Sequence, residues 1–370
     1  TVIPAKAMTN ITASTNQLLY LVYGPDEAYH AEARFSILSA LYRGSTEPGF
    51  MISVYTDAPL YYEGLPVQVH ALPEETLQQW YGPLRYHHRA KLCLLQHAVP
   101  LAEKTVFIDT DTFFLRDPAM LFDAVDDKTC LADELYDGQL PAVTANDPAV
   151  AALLAQFGID PKKIPVINSG LFGISRSNSD VLDIALALND VVYPASGRSL
   201  TTEQLVLGMA ASTRAMLVED SGVIKHYWSR KQLFRAKAFA FIKRHGNHWD
   251  TAAARNDFLR VTPVLPKPPA FVRTLAKLAC LLVTRRDRQL LLELLYGRYP
   301  YRNPFDRACC DVWQQKAVEN YLEKVKPRSA ADCRLFDDQL FSNRFAKTLL
   351  GSECLENARQ YLSQIIAARL

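Results

Sequence analysis

Asp109 and Asp111 stand one residue apart, directly after the apolar run Val106-Phe107-Ile108. A short apolar run of that kind reads as a buried parallel strand. Carboxylates at the carboxyl end of such a strand lie where open α/β sheets bind ligands. Two close anionic oxygen donors suit a hard divalent cation that also carries substrate phosphates, Mn²⁺ or Mg²⁺. The plainer alternative is a strand ending in a solvated Asp-Thr-Asp turn, which both residue types favour through local hydrogen bonds.

Other groups with chemical capacity are spread along the chain. Asp57 ends the apolar stretch Met51–Tyr55 and either hydrogen-bonds a base or ribose or serves as a turn residue before Ala58-Pro59. Arg89 and Lys91 lie on a helix just before the Asp109 strand, placed to pair with a diphosphate or with Asp109 itself. His87 and His88 read as a solvated helix face. Asp133 and Glu134 ride on the strand Thr129–Leu135. Asn168-Ser169-Gly170 interrupts the apolar stretch 166–176, and glycine inside a strand lets a ligand or a second backbone approach closely. Glu203 and Gln204 open a helix, where Glu203 has the alternative of satisfying first-turn backbone donors. His226 ends a second apolar stretch at the same expected sheet edge as Asp109 and Asp111. Two carboxylates leave a six-coordinate ion short of protein donors, and imidazole is acceptable to manganese.

The elements that must position these groups alternate. Apolar runs at Leu18–Tyr23, Met51–Tyr55, Val67–Leu72 and 106–108 read as strands. Helical periodicity spans Ala31 to Leu41 and Tyr86 to Ala98. That alternation predicts a doubly wound α/β sheet with a largely parallel core. Further helices are predicted at 118–125, 147–157 (stopped by Gly158), 178–192 and 200–211, with a strand at 214–218. Residues 1–17 form a polar lead-in, 18–230 the α/β sheet domain and 231–370 a basic, mainly helical region. In that last region 271–296, 313–325 and the tail from Cys354 read as helices. Neither internal repeats nor low-complexity runs interrupt the chain.

Composition bounds the class. With 370 residues, 49% apolar and 22% charged, the chain can hold one large α/β domain and a smaller appendage. No apolar run reaches the length of a membrane span. Seven cysteines without a Cys-x-x-Cys pair read as reduced thiols of a cytoplasmic protein. The chain does not begin with Met, so a Golgi-lumenal protein whose N-terminal anchor was removed is the alternative. The Asn10-Ile11-Thr12 sequon carries little weight. Net charge is +2, yet Ser229–Gln289 holds 14 Lys/Arg against 3 Asp/Glu, so the rest of the chain is near −9. That basic stretch, interleaved with Phe234, Phe239, Phe241 and Trp249, suits peripheral contact with an anionic membrane. A solvated face or a patch over acidic surface would also account for it. Nucleic acid is not expected, because no recognised motif accompanies the charge.

Five pieces, in this order, resemble the GT-A fold of nucleotide-sugar glycosyltransferases: Leu18–Gly24, Val54–Asp57, Arg89-Ala90-Lys91, Val106–Phe114 and Asn168-Ser169-Gly170. The chain is most similar to the glycogenin-like and bacterial galactosyltransferase-like branch, in which an acid-Gln pair (here Glu203-Gln204) and a late histidine (here His226) follow. The resemblance implies a Rossmann-like mixed sheet flanked by helices and covers about Leu18 to Trp228. It implies a metal held by Asp109, Asp111 and His226 and a donor, by resemblance a UDP-sugar, held by Tyr23, Gly24, Asp57, Arg89, Lys91, Thr110, Asn168, Ser169 and Gly170. Where the branch has Gly and Lys-Pro-Trp after the histidine, this chain has Tyr227-Trp228 and Lys231, which leaves Lys231 as the candidate for that diphosphate contact. The implied acceptor is a carbohydrate or lipid-linked glycan. Asp133, Glu134, Glu203 and Gln204 are candidates to face the oxocarbenium-like carbon. Retention would place Gln204 behind the sugar, with the departing phosphate as base. Inversion would need a true general base, for which Glu203 is first choice. The resemblance favours retention. Rival classes are a phosphatase of the haloacid-dehalogenase type, although Phe113 replaces its Thr or Val, and a non-catalytic nucleotide-sugar-binding protein.

Overall fold

A computed structural model describes residues 16–45, 49–228, 231–325 and 344–369. Most of the expected lead-in, with its sequon, lies outside the described residues. The chain divides into two compact units, Thr1–Trp228 and Ser229–Leu370.

The first unit begins with β1 (Asn16–Val22), α1 (Glu27–Arg43), β2 (Phe50–Thr56), β3 (Gln68–Ala71) and α2 (Glu74–Tyr81). Then follow α3 (Arg89–Ala98), β4 (Lys104–Ile108), β5 (Thr112–Phe114), α4 (Ala119–Asp123) and β6 (Thr129–Gly138). The remainder comprises α5 (Ala142–Ala145), α6 (Pro148–Phe157), β7 (Ile164–Ser175), α7 (Val181–Ala195), α8 (Thr202–Ala211), β8 (Met216–Glu219) and β9 (Ile224–His226). Local chemistry fixes several ends. Asp26 caps α1 by accepting from the Ala28 amide, and Asp147 caps α6 by accepting from Ala149 and Val150. Gly158 stops α6 in the left-handed region, as its sequence position implied.

Seven strands form one mixed sheet in the order β3-β2-β1-β4-β7-β6-β8, with helices packed against it, a Rossmann-like arrangement. Every ladder is parallel except the two that β7 makes, with β4 and with β6. The expected largely parallel core therefore contains one reversed strand at its centre. An apolar run carries no direction, so its sequence could not reveal this. Strand order turns between β1 and β4, which makes the carboxyl ends of those strands the natural crevice. β5 and β9 form a separate two-stranded ribbon, with Thr112 opposite His226. The main core lies between the sheet and α3, α6, α7 and α8, and includes Phe107, Leu154, Phe172, Leu188 and Leu207.

The second unit is helical: α9 (Lys231–His245), α10 (Ala252–Phe258), α11 (Ala270–Ala279), α12 (Arg288–Arg298), α13 (Pro304–Arg307), α14 (Cys310–Val325) and α15 (Arg344–Arg369, broken at Gly351). The single helix expected over 271–296 is two helices. Between them Val283 is extended, and Thr284 donates its hydroxyl to Asp287, whose amide bonds back to Thr284. Such local bonds compete with helix. Two of the aromatics expected at a membrane face, Phe234 and Phe241, are buried in this unit instead. Lys237 of the same helix is 1% exposed and bonded to Asp306 and to the carbonyls of Thr262 and Val264. Among the described residues no helix is long and apolar enough to cross a membrane.

Candidate metal and nucleotide site

β4 ends at Ile108, and the Asp109 amide donates to the Gly170 carbonyl of β7 at 2.8 Å. The chain then turns through Thr110 and Asp111 into β5. Beneath the turn runs a buried polar chain: Tyr20 hydroxyl to Ser36 (3.0 Å), Ser36 to Thr112 (2.9 Å), and Thr112 hydroxyl to the Asp109 carbonyl (2.9 Å). Each of these side chains is buried, so an unmade bond would be costly, and the turn has few alternatives. Sequence reasoning missed this support. Its available signal was the buried face of α1 carrying serines at 36 and 39 among apolar residues.

β9 delivers His226 through its pairing with β5, and the Tyr227 amide donates to the Asp111 carbonyl at 3.0 Å. One ligand atom each from Asp109, Asp111 and His226 lies within 4.8 Å of the others. His226 Nδ1 is 2.6 Å from Asp133, and Nε2 is 3.5 Å from Asp111. The register of β6 against β7 shifts here, setting Ser169, Gly170 and Leu171 opposite the single residue Asp133. Such irregularities re-aim side chains. The imidazole lies on Gly170: a Cβ built there would stand far inside van der Waals contact with its Cε1 and Nδ1. Burial alone would lower the basicity of His226, but its bonds to Asp111 and Asp133 outweigh this and raise its pKa to about 9.

Lys91, 7% exposed, approaches from α3. Its Nζ is 3.1 Å from Asp109 Oδ1, 3.0 Å from the Ser169 hydroxyl and 3.8 Å from Glu203. It also sits 4.8 Å from the centre of the Phe107 ring. Burial opposes its charge, yet Asp109 and then Glu203 hold its pKa above the ordinary lysine value.

Glu203 is brought down onto this group by α8. Gly208 in that helix permits the approach, since a Cβ there would lie 2.7 Å from the Pro165 carbonyl. Tyr86 fixes the helix start, accepting from the Glu203 amide at 3.1 Å and donating to the Leu200 carbonyl at 2.7 Å. Ser169 donates to Glu203 Oε2 at 3.2 Å, whereas buried Oε1 accepts no hydrogen bond. Burial pushes the carboxyl up to about 6. Lys91 pulls against that shift, Asp109 adds to it and the Ser169 hydroxyl offsets part of it. A carboxyl pKa above its unfolded value stabilises fully below about pH 4.5 and loses that contribution as pH rises through about 6. Glu203→Gln should therefore flatten the stability profile between those values and be no less stable than the parent at pH 7. The swing is about 2 kcal/mol for that shift. Thermal unfolding from pH 4.5 to 7 measures it, and a marked loss at pH 7 would mean that an ionised Glu203 is needed to hold Lys91.

The remaining expected residues divide. Asn168 accepts from the Gly170 amide at 3.1 Å and donates to Glu134 at 3.4 Å. Gln204, the next residue on α8, is partly exposed, and among the described residues its side chain forms no hydrogen bond. Thr110 is partly exposed at the tip of the turn. Asp57 closes the ends of β1 and β2 by accepting from the Gly24 amide at 2.9 Å, and Tyr23 donates to the His87 carbonyl at 3.1 Å. Lys231 belongs to the second unit, where it opens α9. Arg89 points away from Asp109 and grips Asp190 of α7 at 2.7 and 3.0 Å, with the Trp80 carbonyl at 3.0 Å. Arg89→Ala is expected to lower stability by about 1 kcal/mol, since Asp190 is half exposed and solvent screens the pair. Nucleotide affinity should not change. Denaturant unfolding and a UDP titration check the two halves, and a large loss of affinity would restore the phosphate role for Arg89.

No family model matches the chain, and neither does any curated protein. Among solved structures it is similar to the apo form of the bifunctional glycosyltransferase WbbM, with a TM-score of 0.38 and 14% identity. That likeness covers 57% of this chain and 40% of the other, so the chain spans less than half the length of that protein.

Proposed function

We propose that the chain is a metal-dependent glycosyltransferase. It moves a sugar from a nucleoside diphosphate donor, a UDP-sugar by resemblance, to a glycan or lipid-linked acceptor. The observation that carries this reading is the convergence of Asp109, Asp111 and His226 at the carboxyl edge of β4. The donor set fits manganese or magnesium: two carboxylates and one imidazole, with no thiolate. His226 also has the support that metal-ligating histidines have, a carboxylate on its other ring nitrogen. A bound ion would offset the charge that grows on the diphosphate as the glycosidic bond breaks.

The chain's own residues divide the rest of the work. Lys91 holds the Asp109 carboxylate in place and supplies a second fixed positive charge. Asp133 orients the imidazole. Glu203 is 1% exposed behind Ser169, out of reach of an acceptor hydroxyl, which speaks against it as the general base of an inverting reaction. Glu134 and Asp133 are engaged with Asn168 and His226. Gln204 is the member of the group with an uncommitted polar end, so we assign it the sugar face and favour retention. A screen of nucleotide-sugar hydrolysis tests the reading. One donor should be consumed with manganese and spared in excess chelator. Full turnover in chelator, or release of phosphate from simple monoesters instead, would contradict it.

A further inference from the structure

The second unit shows a feature that the transfer reaction does not use. Helix α11 has no buried residue. Phe271, Leu275 and Leu278 are 73%, 49% and 56% exposed, and Leu282, just past the helix, is 66% exposed. Spacings of four, three and four put these side chains on one stripe. A surface helix ordinarily turns such a stripe toward the core, but this one turns it outward.

Beside the stripe opens a cavity of about 650 Å³ whose lining includes Lys267, Lys277, Arg288 and Lys316, with Tyr296 and Trp313 as an aromatic wall. Its carboxylate, Glu293, is occupied by Gln289 at 3.1 Å and Asn320 at 3.0 Å. Among the described residues none of the four cations has a carboxylate partner, and the buried Arg288 Nε–H donates to no acceptor. Four unpaired cations around a cleft call for a multivalent anion. An adjoining row of outward leucines calls for hydrocarbon.

We infer that this face of the second unit lies on an anionic phospholipid surface, with α11 at the boundary between headgroups and acyl chains and the basic cavity receiving a lipid phosphate. Exposed apolar helices flanked by cations bind interfaces through buried apolar area and attraction to anionic headgroups together.

Flotation of the full chain with vesicles tests this without reference to catalysis. The chain should float with phosphatidylcholine vesicles containing phosphatidylglycerol, remain behind with pure phosphatidylcholine, and be released by salt. Leu275→Glu and Leu278→Glu, both at exposed positions, should each weaken partitioning about tenfold at unchanged melting temperature. Arg288→Gln should weaken it about fivefold, the loss of one cation at an anionic surface. Absence of flotation, equal flotation with both vesicle types, or variants that bind like the parent would each overturn the inference. So would stabilisation by inorganic phosphate without any vesicle binding, which would mark a site for a free anion.

Discussion

Asp111→Asn should lower donor turnover on the order of 10³-fold, the scale on which a group that stabilises developing charge contributes. The fold should survive. Asp111 is 8% exposed, and its link to the neighbouring ribbon is made by its backbone carbonyl, which the substitution leaves intact. The amide has nearly the same shape and lacks only the charge. His226 would still have Asp133 at 2.6 Å. Initial rates of nucleotide release at saturating manganese, set beside the melting temperature, give the answer. A variant that turns over near the parent's rate would mean that the ion is held elsewhere.

Gly170→Ala should be nearly as damaging, although it touches no charge. The φ of Gly170 lies outside the left-handed region, so the strand itself accepts alanine. Replacing glycine within a strand even favours the fold by roughly 0.5–1 kcal/mol. The added methyl, however, takes the space of the His226 ring. The imidazole must leave, losing both Asp133 and its place beside Asp111. Metal-dependent nucleotide binding should fall on the order of 10²-fold, as when the supports of a metal ligand are removed. His226→Ala should do the same, and the double variant should be no worse than either single one, because both remove one interaction. Titrations of the three variants check this cycle. Additive losses would show that Gly170 matters for another reason, such as close approach of the donor.

Much of this arrangement was legible in the residues. Apolar runs marked β1, β2, β4 and β7, and strand-end placement brought Asp109, Asp111 and His226 to one edge. Lys91 was expected near Asp109, and it is there. What escaped depends on partners far away in sequence. Arg89 and Lys91 share one helix, yet a two-residue step turns Arg89 to Asp190 of α7, and nothing near Arg89 announces that aspartate. The tie between Asp133 and His226 arises from a register shift that no local pattern encodes. The reversal of β7 was invisible because burial on both faces gives the same apolar run in either direction. In the second unit, alternation of basic and aromatic residues suggested contact with an anionic membrane along this stretch, but helical geometry buried Phe234, Lys237 and Phe241 on one face. The outward stripe belongs to α11, where the spacing of Phe271, Leu275 and Leu278 was readable but its direction was not.

The central claim is that an ion at Asp109, Asp111 and His226 joins the protein to a nucleoside diphosphate. Calorimetric titration of UDP into the full chain, with and without manganese, tests this most directly. The account predicts tight binding only when both are present, lost in Asp111→Asn and weakened in Gly170→Ala. UDP binding of equal strength in chelator, or unchanged in Asp111→Asn, would contradict it.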